Sequence, residues 1–537
     1  MAWDEDRARA RIREFARTVP QGNIVVEDFA QYLTESRLIK ANAGIQDSAS
    51  EDLLLRIPRN RAIMTNGAHV YANLMDFNDV LVDAGRETEA SHRRAFEFLH
   101  AHYSACDELI SEFELQRVDF HGSRLHAVVL TPEGQTNEAE RVRRAISFAA
   151  AFREMVDRLG AAYPEFQTRV RVGIDSGPAV AIDGGKKDEP EPLFIGSPAN
   201  YAAKLATGDD EGVFLSSRAK GASRKPVEAF EDISGVILDG PSALRKSFEA
   251  AALNEEFVAA GMVAGASARL DSAFGEARKS IDEQRSLTSS AAFTFHHKEP
   301  PLKDIVFADH PPSRAIRMPL ASVFADIDGF TKYIDNAIAT GSVAEAVANL
   351  HVLRAEMAAV LRDDFGGRKV RFIGDCVHGL IAEGDKFHTN TMDTIRSAVL
   401  AAGGIRSSFE LCVELLPGIG DLGIAIGIDF GQTPVCRLGL RGVASVRSAA
   451  SRATCVSEAE QQRCGGTETA LGADAYKEAP AVIREVFAED RIVPHLTFAA
   501  AEMLVGTMSS PYGARNVSEP VRAHQPEPPL RAHARSD

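Results

Sequence analysis

No two of the six cysteines in this 537-residue sequence form a Cys-x-x-Cys pair; they stand apart at 106, 376, 412, 436, 455 and 464. Such scatter fits free thiols in a reducing cytoplasm and gives no disulfide framework. The sequence also lacks the run of roughly 18 apolar residues that a membrane span needs. A signal peptide is missing as well, because MAWDEDRARARIREF reads as a charged helix. Positive charge is in deficit. A net charge of −16 argues against general nucleic-acid binding, which requires a basic face, yet leaves room for a small polyphosphate held through a metal. What remains is a globular mixture, 45% hydrophobic and 25% charged, long enough for two or three domains. The expected setting is cytoplasmic, with neither membrane nor nucleic acid as partner.

An internal repeat organises the chain. VFADIDGFTKYIDNA (323–337) has a near-echo in VYANLMDFNDVLVDA (70–84), with Asn73 in place of Asp326 and Met75 in place of Asp328. KVRFIGDCVHGLIA (369–382) matches RVDFHGSRLHAVVL (117–130), and IAIGIDFG (424–431) matches VRVGIDSG (170–177). The offset stays at 252–254 across these three pairs. A fourth pairing, at an offset of 248, sets Asn200 against Ser448 and Lys204 against Arg452.

Each copy reads as strand, helix, hairpin, helix, strand, helix. VFADID alternates as a strand, EAVANLHVLRAEMAAVLRDDF (345–365) has helical periodicity, and KVRFIGDCVHGLIAE turns at Gly-Asp as a hairpin. The expected fold is α+β, two tandem ferredoxin-like (βαββαβ) domains at 62–235 and 318–505 paired within one chain. Around them the sequence predicts a helical N-terminal region at 1–60, a helical connector and proline-punctuated linker at 238–314, and a disordered tail at 511–537.

This order places the end of the first strand beside the hairpin tip, so Asp326 and Asp375 converge. Two carboxylates and the Ile327 carbonyl make a hard oxygen site for Mg²⁺ or Mn²⁺. Gly329, Phe330 and Thr331 then turn into a helix whose first backbone N–H groups can cradle phosphate oxygens. For either aspartate alone, a helix-capping role is the plainer reading. The histidines at 121, 126 and 378 read as packing or solvent-facing residues.

DIDGFT (326–331) and the later IGD (373–375) resemble the class III nucleotidyl cyclase family, and the likeness covers both repeats, more weakly in the first. That resemblance implies two divalent ions on Asp326 and Asp375 and a site between two domains. It also implies an Asn and an Arg, four residues apart on a helix of the opposite domain, for ribose and phosphoryl group. Asn200 and Lys204 hold those positions in the first repeat, with Lys a departure from Arg; Ser448 and Arg452 would hold them in the second. One working site follows, with metal ligands from the second repeat and Asn200 and Lys204 from the first. The other interface would be vestigial.

Four residues before the hairpin aspartate, purine-using members carry Lys or Glu; here stand Arg371 and, in the first repeat, Asp119. Neither suits those enzymes. Arginine donates to a carbonyl such as O4 of uracil, and aspartate accepts from a ring N–H or amine. With the fused, half-degenerate repeat, this resembles the bacterial pyrimidine cyclases of Pycsar antiphage systems. The resemblance implies conversion of UTP, with CTP as runner-up, to a 3′,5′-cyclic monophosphate sensed by a separate effector protein. An adenylate or guanylate cyclase and a silent nucleotide-binding sensor are the competing readings. The chain could act as a monomer or pair as a homodimer, in which case Arg371 and Arg452 would face the metal aspartates.

Overall fold

The computed structural model describes residues 3–20, 22–42, 57–185, 191–224, 251–252, 266–288, 293–438 and 445–506. Two mixed sheets dominate it. The first orders its strands Gln116–His121, Arg124–Val129, Arg61–Leu74, Val170–Asp183, Gly212–Leu215 and Ala251–Ala252. The second repeats the order with Arg368–Ile373, Cys376–Ile381, Ile316–Asp328, Gly423–Leu438, Glu468–Leu471 and Ile492–Pro494. Within each half the hairpin pairs with the first strand and that strand with the fourth, all antiparallel. This is the α+β, ferredoxin-like arrangement expected from the alternating segments.

The strand ending in Asp328 shows why the site is rigid. Ala321, Val323, Phe324, Ala325 and Ile327 are all buried, and burying a Val, Ile or Phe side chain contributes roughly 1.5–3 kcal/mol each. The hairpin lies against it in a register that sets Val377 opposite Ala325, so the turn at Gly374–Asp375 falls beside Asp326. Gly374 adopts φ +64, a left-handed conformation that glycine enters without a Cβ penalty.

The halves share their cores. Val180, Ile182 and Ile195 of the first pack into the cluster built by the second, while Cys436, Leu438 and Val446 of the second join the first.

Two sequence expectations change, and the helical connector is found where it is described. The N-terminal region is not a separate unit: the helix Glu5–Thr18 buries Ala8 and Ile12 in the second half's core, and Val25–Asp28 adds a parallel strand to the first sheet. The proline-punctuated stretch before residue 314 is no free linker, because Leu302, Ile305 and Phe307 are buried against strand Ile316–Asp328 and its neighbours. Of the connector, Ala266–Thr288 is one helix, with Leu270, Ala273, Ala277 and Ile281 packed into the first half's core. The rest of the connector before residue 251, the segments 43–56 and 253–265, and the 511–537 tail lie outside the described residues.

Candidate active site

A cleft of about 590 Å³ runs between the halves, lined by Asn200 and Lys204 from the first and by Asp326, Asp375 and the 327–331 segment from the second. Burial holds the Asp375 carboxyl well above the usual carboxylate range, and the charge of Asp326 beside it pushes the same way. The Ile327 N–H donates to that carboxylate, tying the hairpin tip to the strand end. Asp328, the third residue of the Asp-Ile-Asp segment, instead accepts from the Gly466 N–H at 3.1 Å.

Gly329 caps the helix Phe330–Thr340 at φ +83, which lets the chain reverse sharply between strand and helix. Thr331, in that helix's first turn, accepts a hydrogen bond from the Asn200 amide. The helix Ser197–Leu205 that carries Asn200 is anchored from both sides. Its Ser197 N–H donates to Asp335 of the opposite half at 2.9 Å, and Arg218 donates to Ser197 Oγ at 3.0 Å. Lys204 lies one turn beyond Asn200, its Nζ 5.7 Å from the Tyr201 ring centre.

Asp119 and Arg371 also line the cleft, and they meet each other: the guanidinium donates to the Asp119 carboxylate and to the Phe120 carbonyl. The two non-purine positions thus form one ion pair across the halves. Tyr71 stacks on His126 at 4.0 Å, and Phe194 stands edge-on to His126, giving this end of the cleft an aromatic wall. His126 and His378 are buried and held well below the usual histidine range by that burial. Among the described residues, no group of three or more His, Cys, Asp or Glu side chains is placed to hold a metal.

The fourth repeat pairing is wrong. A Cβ on Gly173 would strike Ala202 O and Ala206 N of the Asn200 helix; one on the matching Gly427 would strike Ser457 O and Gln461 N. Ala202 and Ala206 therefore correspond to Ser457 and Gln461, which sets Asn200 opposite Cys455 and Lys204 opposite Ala459. Ser448 lies instead on strand Val446–Ala449, and Arg452 opens the helix Arg452–Gln462, its N–H donating to Glu87 at 2.8 Å. Arg452 does not line the cleft.

The second interface carries contacts of its own. Ser123 Oγ donates to Asn73 at 2.8 Å where the other half has its carboxylates, and Arg124 pairs with Glu458 at 2.8 Å across the halves.

Sequence reasoning missed Glu191 and Arg354. Glu191 collects Arg354, Lys369 and Arg447 from the opposite half. A signal existed for Arg354, which shares a helical face with Val347 and Leu350, both fully buried.

A "Uridylate cyclase" from a Rhizobium species is 45% identical over 492 residues, covering 91% of this chain and 93% of its own length. The chain belongs to the class III nucleotidyl cyclases. The family model described as "Adenylate and Guanylate cyclase catalytic domain" matches residues 71–246, in the half whose motifs are the weaker. A Pseudomonas aeruginosa "Uridylate cyclase" is 35% identical over 465 residues, 85% of this chain and 86% of its own. The crystal structure of a class III adenylyl cyclase-like ATP-binding protein from Pseudomonas aeruginosa superposes with a TM-score of 0.78 at 32% identity. The match spans 94% of this chain and 100% of that one. Among the described residues, no helix is long and apolar enough to cross a membrane.

Proposed function

We propose that this chain is a uridylate cyclase, converting UTP to 3′,5′-cyclic UMP and pyrophosphate at the cleft between its halves. The observation that carries this is the cross-half Arg371–Asp119 pair, in the same cleft as the acidic pair and Asn200. The two relatives named as uridylate cyclases support the choice of base.

The crowding of Asp326 and Asp375 is a charge excess that divalent cations relieve, so the residues fit the metal expected of the family. Asp326, Asp375 and the Ile327 carbonyl would hold Mg²⁺ or Mn²⁺, which when bound supplies charge neutralisation at the phosphates and eases ionisation of the ribose 3′-hydroxyl. The N–H groups at 329–331 point positive dipoles at the phosphates. Asn200 releases Thr331 to orient the ribose. Lys204 meets the negative charge that develops as the α-phosphate changes partners. Opening of the Arg371–Asp119 pair offers a donor to a base carbonyl and an acceptor to its N3–H, the alternation of the uracil edge.

A manganese-supplemented assay with each of the four nucleoside triphosphates, read by product mass, tests the reading. Cyclic UMP should dominate; dominant cyclic AMP would sink it. That rival has one observation in its favour, the ATP-binding description of the Pseudomonas structure. The proposal extends to a cytoplasmic second messenger of antiviral defence acting through a separate effector, supported by the Pycsar resemblance. Cells carrying Asp326→Asn should then lose protection from phage together with the cyclic product.

Lys204→Ala should lower turnover by about 10²-fold, the scale for removing one transition-state charge contact. Arg452→Ala should change it by less than about twofold, since it lies outside the cleft. The reverse ranking in steady-state kinetics would overturn the assignment of Lys204 as the charge contact.

A further inference from the structure

Arg354 brings a charge to a place where the protein barely answers it. It projects from the helix Val343–Ala359 of the second half, is 3% exposed, and lines the cleft. Its guanidinium rests 4.0 Å from the ring centre of Phe372, the residue after Arg371. Gly184 makes room for it, because a Cβ there would stand 1.9 Å from Nη1.

Among the described residues, Nη2 alone of its donors has a partner, Glu191 at 3.5 Å, the outer limit of a hydrogen bond. Glu191 is already taken by Lys369 and Arg447. Nε and Nη1 are buried and make no hydrogen bond. Burial drags the guanidinium pKa down to about 9, against the pull of Asp183 and Asp375. An unmade hydrogen bond on a buried cation is costly, and a folded protein rarely keeps one without a use.

Other buried arginines are held by backbone carbonyls, although Arg141 too keeps two donors, Nε and Nη2, without a partner. Arg141 donates to the Pro132 and Gly134 carbonyls, and Arg406 to those of Gly466 and Glu468. Each holds a turn or strand end together. Arg354 donates to no backbone carbonyl among the described residues, and its side chain lines the cleft.

The acceptor it lacks belongs to the base end of the cleft. Arg354 feels the charge of Asp119, though less than those of Asp183 and Asp375, shares Phe372 with Lys369, and meets the first half at Glu191, next to the Pro192–Ile195 strand of the aromatic wall. We propose that Arg354 reads the O4 carbonyl of uracil beside Arg371 and Asp119, and so selects UTP over CTP. This rests on the uridylate cyclase reading. Uracil presents an acceptor at position 4, whereas cytosine presents an amine donor. Free guanidinium donors welcome the first and oppose the second, and a site built to bond one group discriminates against its absence.

The test compares wild type, Arg354→Met and Arg354→Lys in kcat/KM for UTP and CTP, with inhibition by inorganic tripolyphosphate as a third measurement. In Arg354→Met, kcat/KM for UTP should fall at least about tenfold. That for CTP should stay within about threefold, and tripolyphosphate inhibition should not change. Arg354→Lys keeps the charge without the planar fork and should show the same loss of UTP preference. It carries the test alone if the methionine variant does not fold. A parallel fall for both nucleotides would make Arg354 a structural residue and overturn the proposal. Weakened tripolyphosphate inhibition would place the guanidinium on the phosphates and overturn it too. A wild type that prefers another triphosphate would overturn this assignment and the uridylate reading together. A UTP-selective wild type whose preference survives in both variants would overturn the Arg354 assignment alone.

Discussion

Asp375→Asn is expected to abolish cyclic nucleotide formation, by on the order of 10³-fold, while making the metal-free protein more stable. Loss of a carboxylate proposed to grip the metals would remove several kcal/mol of transition-state stabilisation, and each 1.4 kcal/mol is a factor of ten in rate. The gain in stability comes from the same carboxylate. Its pKa is raised in the fold, first by burial and then by Asp326. The folded state therefore binds this proton more tightly than the unfolded chain does. Its contribution to stability is present at low pH and is lost as pH rises from the unfolded carboxylate pKa through the raised folded one. At neutral pH an uncharged amide of the same shape avoids that loss. Product mass and thermal melting in chelator, run side by side, check both halves of the expectation. Manganese should raise the melting temperature of wild type and leave that of Asp375→Asn nearly unmoved. A variant that retains turnover would remove the metal reading.

Arg11→Ala should cost about 3–5 kcal/mol of folding stability, the scale for removing one partner of a buried ion pair. Arg11 binds both oxygens of Glu356, at 2.6 and 2.7 Å, and reaches Asp364 at 3.1 Å. These acids are only 1% and 4% exposed. Asp364 has a second cation in Arg7, at 2.8 Å. With Arg11 gone, Glu356 keeps the Ser408 hydroxyl and, among the described residues, no cation. Urea denaturation of the full chain measures the effect, with Arg9→Ala as the surface comparison. The Arg9–Glu414 pair at 2.6 Å is solvent-accessible, and its loss should change little. Equal effects would mean that the N-terminal helix is dispensable to the second half.

Much of the site was legible because its determinants are local. Asp-Ile-Asp-Gly-Phe-Thr announces a strand, a left-handed turn and a helix start within six residues, and Gly374–Asp375 announces a hairpin tip. Period-two and period-3.6 patterns then dictate which elements sit beside one another. The helix register at Arg452 failed for a different reason. The shared Gly-Ile-Asp was visible in both copies, but the backbone that each glycine touches lies about thirty residues on, behind a strand of different length. The few side chains matching there were too small and too common to fix an alignment. Prolines misled at 300–312 because they report on backbone freedom, whereas the burial of Leu302, Ile305 and Phe307 decides whether the segment stays down. Arg11 and Arg354 escaped for a third reason. A charged residue on a helix is ordinarily solvated, and its partners sit hundreds of residues away or on the opposite half.

The cleft between the halves has a consequence for timing. Because a single polypeptide supplies both walls of the cleft, the Asn200 helix and the Asp326–Asp375 pair meet inside one molecule, at an effective concentration set by the fold. If the proposed cyclisation needs no second chain, product would form from the first folded copies, and specific activity would not change with protein concentration.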